Sequence, residues 1–170
     1  MKRDNTQHSP DMRIKISLTN KKSVELLFLE CSRPSADTPK YIRDWIKLVR
    51  MCKDAHDVIT ESRNELAKSA RGKEILQKLS AIPIIMIHIH CHEVRIAVLD
   101  RPHCVYYRVR MLEIFQIPLK PPESLDSLKK FVHRWLRLHS YINKIASQLQ
   151  ILQPEIDKLV NPINVYCSTP

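Results

Sequence analysis

The sequence predicts an α/β domain: a mixed sheet flanked by helices. Three observations carry this. Residues 12–18, MRIKISL, alternate apolar and polar strictly, which marks a half-buried strand. Ile42, Trp45, Leu48, Val49, Cys52, Ala55 and Ile59 recur at helical spacing. A second strand group follows that helix over residues 84–112, so strands frame it and helices on a sheet are the natural packing. The expected order is β-β-α-(α)-β-β-β-α in one domain.

Each element follows in turn. Residues 1–10 are polar and are expected to fray. Met12, Ile14 and Ile16 fall on one side of the first strand, with Arg13, Lys15 and Ser17 on the other. Thr19-Asn20-Lys21-Lys22 reads as a turn, and Val24 to Cys31 (VELLFLEC) as a more buried strand, giving a hairpin. Thr38 before Pro39 fits an N-cap and first helical position, so a helix is expected over about 39–67. Gly72 marks a break before a short helix, Lys73 to Leu79. Ile84 to His90, Val94 to Leu99 and Val105 to Leu112 read as strands, with a turn at Asp100-Arg101-Pro102-His103. Ile114 to Pro118 closes the sheet region, and Lys120-Pro121-Pro122-Glu123 is a rigid spacer.

Ser124 is expected to cap a long final helix. Its stripe is Leu125, Leu128, Phe131, Val132, Trp135, Leu138, Ile142, Ile145 and Leu149. That stripe carries two large aromatics and follows a sheet, which predicts core packing rather than a membrane surface. The domain is expected to occupy residues 11–152, leaving 153–170 as a tail.

Composition excludes several functions. The chain has one glycine, Gly72, whereas a dinucleotide fingerprint, a phosphate-cradling loop or a kinase-type glycine-rich loop needs several. The five cysteines, Cys31, Cys52, Cys91, Cys104 and Cys167, are odd in number and form no C-x-x-C pair, which argues against a disulfide framework and a zinc knuckle. The N-terminus lacks the apolar stretch of a secretory signal, and the longest apolar run, Ile82 to Ile87, is far below the ~20 residues of a membrane span. An intracellular protein, in cytoplasm or nucleus, with no membrane partner is expected. Lys and Arg total 28 against 18 Asp and Glu, a net charge of +10, which favours phosphate polyanions or acidic proteins as partners.

The run VELLFLECSRP, the helix IKLVRMCKDAHDVI and the segment PIIMIHIHCHEVRIAVLD resemble a C-terminal domain of uncharacterised proteins of early-diverging (mucoromycete and glomeromycete) fungi. That domain is in turn similar to diverged PD-(D/E)xK nucleases. The resemblance covers roughly residues 10–145 and implies a restriction-endonuclease-like core. In such a site two carboxylates on adjacent strands hold Mg²⁺, and a lysine two residues past the second stabilises phosphate charge. Asp11 matches the first carboxylate and Glu30 the second, so these two would also be the metal ligands. Ser32 stands where the lysine belongs. Counting ~100° per residue from Trp45, Lys53 lies at the edge of the apolar face and Lys47 points away, so Lys53 is the expected substitute. His88 falls where a polar residue lines the cleft, as an assistant that orients water or phosphate. Without a lysine at position 32 the centre reads as degraded, with no cofactor or only weakly held Mg²⁺.

Other constellations carry less. His88, His90 and His92 alternate along one strand face, but span ~13 Å, too wide for one tetrahedral ion. Cys31, Cys91 and Cys104 coexist with histidines, yet no cysteine-protease signature is present. The expected nucleic-acid face combines Arg13, Lys15, Lys21, Lys22, Arg43, Lys47 and Arg50, none required by the core periodicity. The leading expectation is a nuclease-like domain with a degraded centre that binds DNA or RNA non-specifically, or a protein partner. The alternatives are a protein-interaction module of a larger fungal protein and an active Mg²⁺-dependent nuclease.

Overall fold

The computed structural model describes residues 10–17, 23–33, 38–61, 63–102, 105–118 and 125–160. Five strands make one mixed sheet in the order β1-β2-β3-β4-β5. They are β1 (Met12–Ser17), β2 (Ser23–Ser32), β3 (Ile84–His90), β4 (Glu93–Asp100) and β5 (Arg108–Gln116). Helices α1 (Thr38–Ile59), α2 (Arg63–Leu66) and α3 (Ala70–Ser80) connect β2 to β3, which run parallel, and α4 (Leu125–Val160) follows β5. The other strand pairs are antiparallel. The predicted α/β class and mixed sheet are therefore what the chain adopts. The N-terminal segment 1–9, the turn holding Lys21 and Lys22, the spacer at 120–123, the Ser124 cap and residues 161–170 lie outside the described residues.

The two faces of the sheet carry different helices. Leu26, Phe28, Glu30 and Ser32 share one face of β2 by period two, and Ser32 and Glu30 bond to side chains of α1 there. On the other face Phe115 of β5 meets Phe131 and Trp135 of α4 edge-on, with ring centres 6.0 and 5.9 Å apart. The central strands are apolar on both faces, as expected for strands covered twice. Ile84, Ile85, Met86 and Ile87 of β3 and Ala97, Val98 and Leu99 of β4 are all within 1 % exposure.

Several elements differ from expectation, each for a local reason. The helix expected over 39–67 is two helices, α1 and α2. Thr60 ends the first: its hydroxyl bonds back to the His56 carbonyl at 3.1 Å, competing for the ladder. Gly72 is not a break but lies inside α3, whose N-cap Ser69 accepts its N–H. A Cβ there would sit 1.9 Å from the Leu66 carbonyl oxygen, so glycine is required where α2 crosses α3. The alternation of β1 holds: Ile14 and Ile16 are half-buried against the core, while Arg13, Lys15 and Ser17 are exposed. The irregularity is in its partner, where the register shifts between Ile14 and Lys15 and Leu26 of β2 is left over as a bulge. The bulge lets Leu27 and Val24 pair with Ile14 and Ile16 on one face, with Arg13 and Lys15 both at Glu25 on the other. The last strand starts at Arg108 rather than residue 105, where Arg108 pairs in register with Asp100 and bonds its carboxylate.

The final helix runs on past residue 152. Pro154 lies inside it, and Leu152, Gln153 and Ile156 are buried. Conversely, the first members of its predicted stripe are exposed: Leu125 at 66 %, Leu128 at 41 % and Val132 at 45 %. The core grips α4 through Leu138, Ile145, Leu149, Leu152 and Ile156.

Candidate functional site

A polar cluster lies on the α1 face at the C-terminal ends of the parallel pair β2 and β3. Two rows cross the sheet in register: Glu30, His88 and Arg95, then Ser32, His90 and Glu93. The N-terminal half of α1 lies over them with Tyr41, Asp44, Trp45 and Lys47. The carboxyl ends of parallel strands are where open α/β sheets collect ligands, because connections diverge there and leave a crevice.

Glu30 is the centre. Its carboxylate takes the Lys47 ammonium on both oxygens, at 2.9 and 2.8 Å. Both side chains are largely enclosed, 10 % exposed for Glu30 and 19 % for Lys47, so the pair is far less screened than a surface bridge. Burial raises the Glu30 pKa; Lys47 opposes that rise, and the charges of Asp11 and Asp44 add to it. Asp11, just before β1, is tied by the Cys31 backbone N–H donating to Oδ2 at 2.6 Å. Sequence reasoning therefore placed Asp11 and Glu30 correctly as neighbours, although Asp11 lies one residue before β1 rather than on it.

The lysine is corrected. Lys47, not Lys53, meets Glu30. Lys53 instead pairs with Asp57 one turn along α1 and sits 5.4 Å from the Tyr107 ring centre. The helix turns about 100° per residue, so from buried Leu48 Lys47 leaves about 100° to one side and Lys53 about 140° to the other. Both lie at edges of the buried face, and the edge beside β2 is the one that matters. Counting from Trp45, itself off the centre of that face, concealed this.

Ser32, at the expected lysine position, is consumed by structure. Its hydroxyl donates to Asp44 Oδ2 at 2.6 Å and lies 2.8 Å from His88 Nε2. With the one hydroxyl proton given to Asp44, Nε2 carries the ring proton and donates to Ser32. Nδ1 is then a buried acceptor without a partner among the described residues. His88 is fully buried, packed against Tyr41 at 4.8 Å and Trp45 at 6.0 Å between ring centres. Burial pulls its pKa down to about 4, so it is neutral at pH 7. His88 therefore holds Ser32 rather than facing an open cleft. The chain runs Asp44–Ser32–His88, with the carboxylate on the serine side. A hydrolytic triad needs it behind the histidine, so Ser32 is not an activated nucleophile.

The other predicted residues fall around this cluster or outside it. Arg13 and Lys15 both reach Glu25, at 3.0 and 3.1 Å. Arg43, Lys47 and Arg50 share one edge of α1 at i, i+4, i+7, with Arg43 and Arg50 exposed. Lys21 and Lys22 lie outside the described residues. His90 Nδ1 is buried without a partner among them, while its ring packs 5.2 Å from Tyr41.

Among the described residues no group of three His, Cys, Asp or Glu side chains is gathered as a ligand set. Both Glu30 oxygens hold an ammonium and one Asp11 oxygen holds an amide. As arranged, these residues do not fit a hard dication.

Asp44, Tyr41 and Arg95 were missed. Asp44 was findable from its i, i+3 spacing to Lys47 on one helix edge. Arg95 was findable from the two-residue turn Cys91-His92, which sets His90 opposite Glu93 and thus His88 opposite Arg95. Cys91 takes φ 55° there, a role usually given to glycine. Among the described residues no helix is long and apolar enough to cross a membrane. Comparisons of the chain with family models, curated proteins and solved structures returned no match.

Proposed function

We propose that this chain is a nuclease-like domain, similar to the PD-(D/E)xK class, that binds the phosphate backbone of nucleic acid beside a self-neutralised centre. The observation that carries the reading is the Glu30–Lys47 pair beside Asp11 at the carboxyl end of β2. An acid and a base side by side next to Asp11 support the reading, and each answers the other. Glu30 spends both oxygens on Lys47, Asp11 takes a backbone amide, and Ser32 is locked between Asp44 and His88. Arg43 and Arg50, exposed on the same edge of α1 as Lys47, supply cations to receive phosphate at the rim. An intracellular location, where nucleic acid is found, accompanies this reading.

An active nuclease is the second reading. Lys47 favours it, because it delivers from the helix the ammonium that Ser32 lacks. One experiment separates these. Plasmid and single-stranded DNA are incubated with the protein in Mg²⁺ and Mn²⁺, and retention of both is measured in ~50 mM salt. Retention without cutting is expected. Cutting lost in both Glu30→Ala and Lys47→Ala establishes the active nuclease instead. Absence of retention removes both readings and leaves a protein-interaction module.

A further inference from the structure

On the opposite face of the sheet, α4 and the β4–β5 pair line a half-open cavity of about 470 Å³. That is within the size range of small-molecule sites, ~300–1,000 Å³. Its apolar wall is Ile96, Leu112, Leu138 and the ring of Tyr141; its charged lining is Glu113, Arg134, Arg137 and Lys144.

Two features suggest a built pocket rather than a packing gap. The first is backbone. Between Ile96 and Ala97 the β4–β5 register shifts, leaving Leu112 as the extra residue of a bulge. Bulges re-aim side chains and are frequent beside functional sites. Here the bulged residue lines the cavity and stays 43 % exposed, although the fully buried Val98 and Leu99 lie in the neighbouring strand.

The second is charge. Three cations and one carboxylate line the cavity. Glu113 is already answered by Arg134 at 2.9 Å, and Arg134 also lies over the Phe115 ring at 5.1 Å. Arg137 and Lys144, seven residues apart on one edge of α4, have no ion pair among the described residues. Tyr141 lies between them in the same row, and burial raises its phenol pKa, so it remains a neutral donor. An apolar floor with two unanswered cations and a phenol at one edge is complementary to a small molecule with an apolar body and an anionic head. A nucleic-acid backbone would answer the cations and leave Leu112 and Leu138 wet.

We propose that this cavity is a binding site for a small amphipathic carboxylate, its apolar body against Ile96, Leu112 and Leu138 and its carboxylate on Arg137 and Lys144. The site is independent of the Glu30 cluster and of its reading.

The test uses the full chain and anilinonaphthalene sulfonate as a fluorescent probe, displaced by decanoate. A single saturable probe site is expected. Decanoate displaces the probe, and decanol, which lacks the charge, does so about tenfold less well or worse. Combined Arg137→Gln and Lys144→Gln weakens decanoate by a similar factor, and Ser140→Trp at the exposed rim blocks the site. Thermal midpoints of these surface variants confirm that they fold. The proposal is overturned if the probe does not saturate, if decanol competes as well as decanoate, or if the folded variants bind like the parent.

Discussion

His88 and Glu30 stand side by side in the sheet, and burial pushes their titrations in opposite directions. His88 has its pKa lowered from 6.5 to about 4, so its contribution to stability is complete above pH 6.5 and is lost as pH falls towards 4. That gap corresponds to roughly 3 kcal/mol. His56, also buried, is lowered too and adds in the same direction. Urea midpoints measured from pH 7 to pH 4 should therefore fall, and His88→Gln should flatten the curve without abolishing the His56 part. A slope unchanged in His88→Gln would contradict the buried neutral imidazole. Glu30 behaves oppositely. Its raised pKa favours the folded state at acid pH, and that contribution is lost as pH rises from the ordinary carboxylate value through its own. Lys47 restrains the loss. In Lys47→Met the carboxyl has no cation, so the midpoint should drop more at pH 8 than at pH 5. Removing one member of an enclosed pair costs about 3 kcal/mol when the other must stay charged. An equal loss at both pH values would show that the pair is solvent-screened.

At the scale of elements, the joints are more informative than the elements themselves. Helix α3 exists because Ser69 caps it, but its seat against α2 depends on Gly72. In an ordinary helix interior, Gly→Ala gains up to about 1 kcal/mol. Here the added Cβ would meet backbone 1.9 Å away, so Gly72→Ala should instead lower stability, by about 2 kcal/mol or more. A raised thermal midpoint in that variant would refute the close crossing. The end of α4 makes the complementary case. Pro154 removes one ladder donor, yet the helix continues because Ile156 is buried and Glu155 reaches Arg71 on α3. Ile156→Ala should cost about 2 kcal/mol or more in denaturant unfolding, as for a core isoleucine. A change near zero would return the segment after residue 152 to the status of a tail.

The whole molecule presents a net charge of +10 on one sheet-and-helix body. If about five phosphates are neutralised, log affinity for duplex DNA should fall with log salt at a slope near −4 to −5. Arg43 and Arg50 are exposed beside the Glu30 cluster, whereas Arg13 and Lys15 are shared with Glu25. Replacing Arg43 and Arg50 together by Ala should therefore make the slope shallower by about 2. Replacing buried His88 should leave the slope unaltered. A double variant with the parent slope would move the phosphate path off this edge of α1.

Sequence alone determined what is local or additive. Alternation located the strands, helical spacing located α1 and α4, and a single glycine excluded phosphate loops, because periodicity and composition do not depend on what packs where. Asp11 and Glu30 were legible as neighbours because a hairpin carries its own register. Tertiary structure decided which cation meets which carboxylate. Lys47 and Lys53 leave opposite edges of one helix, and only the docking of α1 on the sheet selects between them. It also decided that Gly72 serves a crossing rather than a break, that α4 outruns its proline, and that a bulge at Leu112 opens a cavity. Each of these depends on atoms distant in sequence approaching within a few ångströms, and no periodicity along the chain encodes that approach.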